Sequence, residues 1–113
     1  MVVGDVVKVP FPYTDRPVRE HRPALVVAMP TGGRVPSLLW VLMITSAANR
    51  GWPGDVVISD LGAAGLPVAS VIRTEKIATI DARDAVRLGT LVESDRAQVR
   101  RRLSTYLAAA VDD

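Results

Sequence analysis

Ala24-Leu25-Val26-Val27-Ala28, a turn region from Pro30 to Pro36 with Gly32-Gly33 inside it, and Leu38-Leu39-Trp40-Val41-Leu42-Met43-Ile44-Thr45 form the stretch whose reading decides the fold. Both apolar runs are short and bounded by turn residues, which favours strands over helices. Read as a hairpin centred on Gly33-Arg34, they pair residues whose numbers sum to 67: Val26 with Val41, Ala24 with Met43 and Arg22 with Thr45. Directly opposed side chains in an antiparallel pair lie about 4.5–5.5 Å apart at Cβ. An arginine and a threonine therefore meet at the open end of the hairpin, where loops 13–21 and 46–54 also converge.

Working outward, Asp5-Val6-Val7-Lys8-Val9-Pro10-Phe11 alternates with period two, Val7, Val9 and Phe11 sharing one face. That pattern predicts a strand whose far end, marked by Pro10 and Pro12, lies at an edge or terminus. A polar loop from Tyr13 to His21 follows. Further strands are expected at Asp55–Ile58, Val68–Ile72 and Lys76–Ile80, with Phe11 and Trp40 in the core. The period then changes. Ser94 can cap a helix, and Val99, Leu103, Tyr106, Leu107 and Ala110 recur at helical spacing as one apolar stripe. Arg96, Arg100, Arg101 and Arg102 sit largely off that stripe, as on a solvated helix face. The expected fold is mainly β (α+β), a small, mostly antiparallel barrel or rolled sheet of about five to seven strands with a C-terminal helix. One domain is expected over residues 1–113.

Composition removes several kinds of chemistry. The chain of 113 residues has no cysteine and one histidine, His21, so disulfide scaffolds, Cys nucleophiles, thiol redox sites and Cys/His metal clusters are excluded. No Gly-rich phosphate loop precedes a helix, and no G-x-S-x-G elbow surrounds a serine. Fourteen basic and twelve acidic residues leave a formal charge of +2. The pI near 9.5 reflects arginine, because all the basic residues except Lys8 and Lys76 are arginines. The longest apolar run, Leu38 to Ile44, is too short to cross a bilayer as a helix, which takes about 20 residues. With no signal-like N-terminus, a cytoplasmic location is expected.

The Arg22/Thr45 pairing suits a phosphodiester. A guanidinium presents a planar fork of donors to phosphate oxygens, and a threonine hydroxyl can donate to the same group. Glu20 shares the Arg22 side of an extended chain and His21 the other. An ordinary rim arginine capped by a hydroxyl is the alternative.

Three segments follow one another in order: Gly4-Asp5-Val6-Val7 running on to Val9-Pro10-Phe11-Pro12-Tyr13-Thr14-Asp15, then His21-Arg22-Pro23-Ala24-Leu25-Val26-Val27, then Ile44-Thr45-Ser46. Together they resemble the MazF/PemK-type toxins of bacterial type II toxin–antitoxin systems. Gly65-Leu66, Ser70-Val71-Ile72, Lys76–Asp81 and Gly89-Thr90-Leu91 extend the likeness over essentially the whole chain. The resemblance implies a homodimeric SH3-like barrel acting as a sequence-selective, metal-independent endoribonuclease with no cofactor. It further implies single-stranded RNA as substrate and inhibition by a cognate antitoxin. By position, it assigns the catalytic arginine to Arg22 and the catalytic threonine to Thr45, with Glu20, His21 and Ser46 as acid–base or supporting candidates. Attack by the substrate's 2′-hydroxyl would give 2′,3′-cyclic phosphate and 5′-hydroxyl ends. Tyr13 and Trp52 are candidates for stacking on unpaired bases, and Arg16, Arg19, Arg34 and Arg50 for following the phosphate backbone. Loop 13–21 is short for the family. The rival reading, on the same barrel, is a CcdB-like toxin that acts by protein–protein contact with DNA gyrase.

Overall fold

The structure is a computed structural model and describes residues 1–12 and 19–111. Among the described residues six strands form one sheet: β1 (Asp5–Pro12), β2 (Arg19–Ala28), β3 (Leu38–Ser46), β4 (Asp55–Val57), β5 (Ser70–Asp81) and β6 (Val86–Thr90). Their spatial order is β4-β5-β3-β2-β1-β6, and every pairing is antiparallel. A short helix α1 (Leu61–Ala64) follows β4, and α2 (Glu93–Val111) ends the fold. Among the described residues no helix is long and apolar enough to cross a membrane.

The central hairpin has the expected register over its middle: Ala24 pairs with Met43, Leu25 with Leu42 and Val26 with Val41. The register slips between Val26 and Ala28, which pairs with Trp40. On the far side of β3 the expected strands at 68–72 and 76–80 are one strand, β5. A bulge interrupts it, because Leu42 pairs with Ile77 whereas the next residue, Met43, pairs with Arg73. Residues 74–76 are thereby looped out of the ladder, which is why the alternation reads as two pieces in sequence. Strand β6, which pattern reading did not single out, covers the free edge of β1. Residues 19–21 belong to β2 rather than to the preceding loop.

Sheet alternation sorts the core into two clusters. One face carries Val7, Val9, Phe11, Ala24, Val26, Leu39, Val41, Met43 and Ile80. The other carries Val6, Leu25, Leu42, Ile44, Val56 and Ile72 and packs against Val99 of α2. At about 25 cal/mol per Å² of apolar surface removed from water, these faces supply the main driving force for the fold. Phe11 is core, as expected. Trp40 is not: it is 42% exposed, because its β3 position faces the side on which the end of α2 stands off the sheet.

The sheet rolls toward itself without β4 and β6 pairing. The segment after β4 bridges them, and two glycines make the approach close enough. Gly65 closes α1 with φ +72°, and a Cβ there would lie within 3.0 Å of the Leu88 backbone in β6. A Cβ on Gly89 would similarly meet the backbone of Ala63 and Ala64.

Helix α2 begins at Glu93, one residue before the expected cap. Asp95 in its first turn is 2% exposed and accepts bonds from the Ser59 backbone N–H (2.8 Å) and hydroxyl (2.9 Å). The carboxylate thus ties the helix start to the β4–α1 connection as well as favouring the helix dipole. The apolar stripe splits in two. Val99 is buried and Leu103 half-buried, whereas Tyr106 and Leu107 are exposed. Beneath that end of the helix lies an apolar groove of about 450 Å³ lined by Val27, Ala28, Trp40, Ile77, Leu103, Tyr106 and Leu107, with Thr74 and Glu75 at its polar side.

Candidate functional site

Arg22 pairs with Val9 and Glu20 with Phe11 across β1 and β2, which sets both charged side chains on the Val9/Phe11 face. Thr45 lies two residues from Met43 along β3 and so shares the face of the Ala24–Met43 pair, as Arg22 does. The β2–β3 ladder ends at Ala24–Met43, and one further step of two residues brings the chain to Arg22 and Thr45. Both therefore occupy the same end of the same face. His21 pairs with Pro10, faces the other way and is exposed.

The two residues sit in different surroundings. Arg22 is half-buried, and its Nη2 lies 3.1 Å from Glu20 Oε2. Thr45 is 4% exposed, and its Oγ1 accepts a bond from Asn49 Nδ2 at 3.2 Å. A hydroxyl has one proton and two lone pairs, so a Thr45 that accepts from Asn49 keeps its proton to donate elsewhere. Asn49 can reach back because residues 47–49 form a 3-10 turn. The turn is capped at its start by Ser46, whose Oγ accepts from the Ala48 N–H. Ser46 is thus occupied as a cap. At the far end, Arg50 Nη1 donates to the Ala47 carbonyl at 3.0 Å.

Arg73 organises the other side of the loop, and pattern reading missed it. Nε and Nη2 bind the two carboxylate oxygens of Asp55 at 3.2 and 3.1 Å, and Nη2 also donates to the Asn49 carbonyl at 2.6 Å. Both side chains are over nine-tenths buried. Their register matches, since Asp55 pairs with Arg73 and Arg73 with Met43, which puts them on the Thr45 face. Asp55 Oδ2 additionally accepts the Gly51 and Trp52 N–H groups, each at 3.3 Å. The Trp52 ring then lies over the guanidinium, 4.4 Å from its carbon, while 43% of the residue stays exposed. The signal in sequence was a charged residue at an inward position of an apolar strand, Val71-Ile72-Arg73. It is interpretable only once Asp55 is known to face it.

Of the residues expected to contact substrate, Trp52 and Arg50 lie on this loop. Arg34 lies in the β2–β3 turn, where its Nε donates to the Thr31 carbonyl. Tyr13 and Arg16 lie outside the described residues. Arg19 opens β2 opposite Pro12.

Comparison with known proteins agrees with this architecture. A family model described as PemK-like, MazF-like toxin of type II toxin–antitoxin system matches residues 3–107. Among solved structures, MazF from Deinococcus radiodurans is 26% identical, with a TM-score of 0.73 and 94% of each chain covered. A MazE–MazF complex from the same organism is also 26% identical, with a TM-score of 0.68 over 93% of this chain and 92% of that one. An endoribonuclease in complex with its cognate antitoxin from a mycobacterial species shares the fold at 18% identity and a TM-score of 0.68, covering 96% of this chain and 93% of its own. No curated protein sequence matches the chain. The family match, spanning the whole sheet and most of α2, means that this chain belongs to the PemK-like, MazF-like toxins of type II toxin–antitoxin systems.

Proposed function

We propose that the chain, as a single toxin domain over residues 1–113, is a sequence-selective, metal-independent endoribonuclease that cleaves single-stranded RNA. The observation that carries this reading is the shared face and end of Arg22, Glu20 and Thr45, next to a loop that displays Trp52. Membership of the toxin family and the likeness to MazF support it.

The chemistry follows from the donors and acceptors present. The substrate's 2′-oxygen attacks the adjacent phosphorus as its proton leaves. The bond from phosphorus to the 5′-oxygen breaks, and that oxygen takes up a proton. The products are a 2′,3′-cyclic phosphate and a 5′-hydroxyl. Charge builds on the non-bridging oxygens in between, and fixed donors aimed at them lower the barrier. Arg22 supplies a permanent charge with a fixed fork, and Thr45 supplies the proton that its bond from Asn49 leaves free. Glu20, on the Arg22 face, is better placed than His21 to receive the 2′-proton. Trp52, exposed on its loop, offers an aromatic ring for stacking with an unpaired base.

The protein would act in the cytoplasm, where its RNA is, and be held inactive by a cognate antitoxin, as MazF is found with MazE in the Deinococcus complex. A homodimer is proposed, with Trp40, Ile77 and Leu107 in the contact, because these large apolar residues are 42%, 54% and 51% exposed around one groove. The test is incubation of purified protein with a long single-stranded RNA in EDTA. Fragments ending in 2′,3′-cyclic phosphate and 5′-hydroxyl are expected. Intact RNA together with arrested DNA gyrase would overturn the reading in favour of a CcdB-like action.

A further inference from the structure

Thr74 lies in the bulge of β5 and faces away from Arg73, toward α2. Its Oγ1 donates to the Gly54 carbonyl at 2.7 Å and lies 2.7 Å from the Tyr106 hydroxyl. Thr74 has a single hydroxyl proton and gives it to Gly54, so Tyr106 must be the donor in the second bond. The two hydroxyls crowd Gly54 so closely that a Cβ there would fall within 3.0 Å of both. Loop 49–54 is therefore gripped twice. Arg73 holds Asn49 and Asp55 from one face of the sheet, and Tyr106, through Thr74, holds Gly54 from the other.

We propose that Tyr106 is a positioning residue for RNA binding: acting through Thr74, it fixes the Gly54 end of the loop that presents Trp52. The inference rests on the RNA reading of Trp52. It assigns to the C-terminal helix a part in substrate binding although the helix packs on the face opposite Arg22 and Thr45. Fixing the loop in advance lowers the ordering cost of binding, so the effect belongs in KM rather than in kcat.

Two full-length variants test it. Tyr106→Phe deletes the donor and keeps the ring. Thr74→Val breaks the same chain at a buried position without touching the helix. Each is compared with wild type by steady-state cleavage of single-stranded RNA and by amide hydrogen exchange. In both, KM is expected to rise roughly three- to ten-fold, the scale of one hydrogen bond, with kcat within about two-fold. Exchange at Gly51, Trp52 and Asp55 should accelerate while β2 amides do not change. Unaltered loop exchange in both variants overturns the proposal, as does a KM effect confined to Tyr106→Phe. Should wild type neither bind nor cleave RNA, the RNA reading fails, and with it the role in binding, while the exchange data still decide whether Tyr106 fixes the loop.

Discussion

The guanidinium carbon of Arg73 lies 4.4 Å from the centre of the Trp52 ring, while the same guanidinium is bound by the Asp55 carboxylate. One face of an exposed indole is thus backed by a buried charge. A cation over an aromatic face is worth about 0.5–2 kcal/mol, more as water is excluded. The Lys76 ammonium also lies over the ring, 5.9 Å from its centre, so two cations orient an indole that remains 43% exposed.

Replacing Asp55 should unfold more than the loop. Asp55→Ala leaves the Arg73 charge buried without its carboxylate, and breaking such a pair costs about 3–5 kcal/mol. Urea denaturation should show a loss of that size. Arg73→Met, which removes the charge and keeps much of the volume, should restore a large part of it in the Asp55→Ala background.

Trp52→Ala should weaken RNA binding by about 1–3 kcal/mol, the range for one base stacked on an aromatic ring. Global stability should fall by about 0.5–2 kcal/mol, the worth of the lost contact between the ring and the buried Arg73 charge. Fluorescence-anisotropy titration of a short single-stranded RNA reads the affinity, and thermal melting reads the stability.

Arg22→Ala and Thr45→Ala should each lower kcat about 10²–10³-fold, as loss of one preorganised donor does elsewhere. The melting temperature of Arg22→Ala should hardly move, because its ion pair with Glu20 is partly exposed and such pairs are worth about 0–1 kcal/mol. Full cleavage by both folded variants would remove these residues from the mechanism.

Acid should loosen the start of α2. A hydrogen bond from Arg100 is the main reason that the Glu93 carboxyl titrates below its ordinary 4.5, with the nearby Arg100 and Arg96 charges adding to it. A carboxyl lowered in the folded state stabilises above its unfolded pKa, and that contribution disappears as pH falls through the lower, folded value. Glu93→Gln should therefore narrow the gap between melting temperatures measured at pH 6 and on the acid side of 4.5.

Much of this was legible in the sequence. Apolar runs split by Pro and Gly gave away the hairpin, and its register could be counted because a two-residue period leaves few alternatives once turn residues bound the runs. Arg22 and Thr45 could then be placed on one face without a structure. Helix α2 was visible from its stripe, since 3.6-residue periodicity is a local property.

The remainder depended on contacts distant in the chain. Only assembly of the sheet decides that β5 is a single bulged strand, because a bulge is defined by the partner that skips it. The value of Arg73 depends on Asp55, 18 residues away, and the exposure of Trp40 depends on where α2 leaves the sheet. Sequence determined which residues could form strands, which could form the helix, and which side chains could be paired on one face of the hairpin. Tertiary structure decided which charges were buried together and which apolar residues stayed outside, because burial and pairing belong to the packed chain rather than to any segment of it.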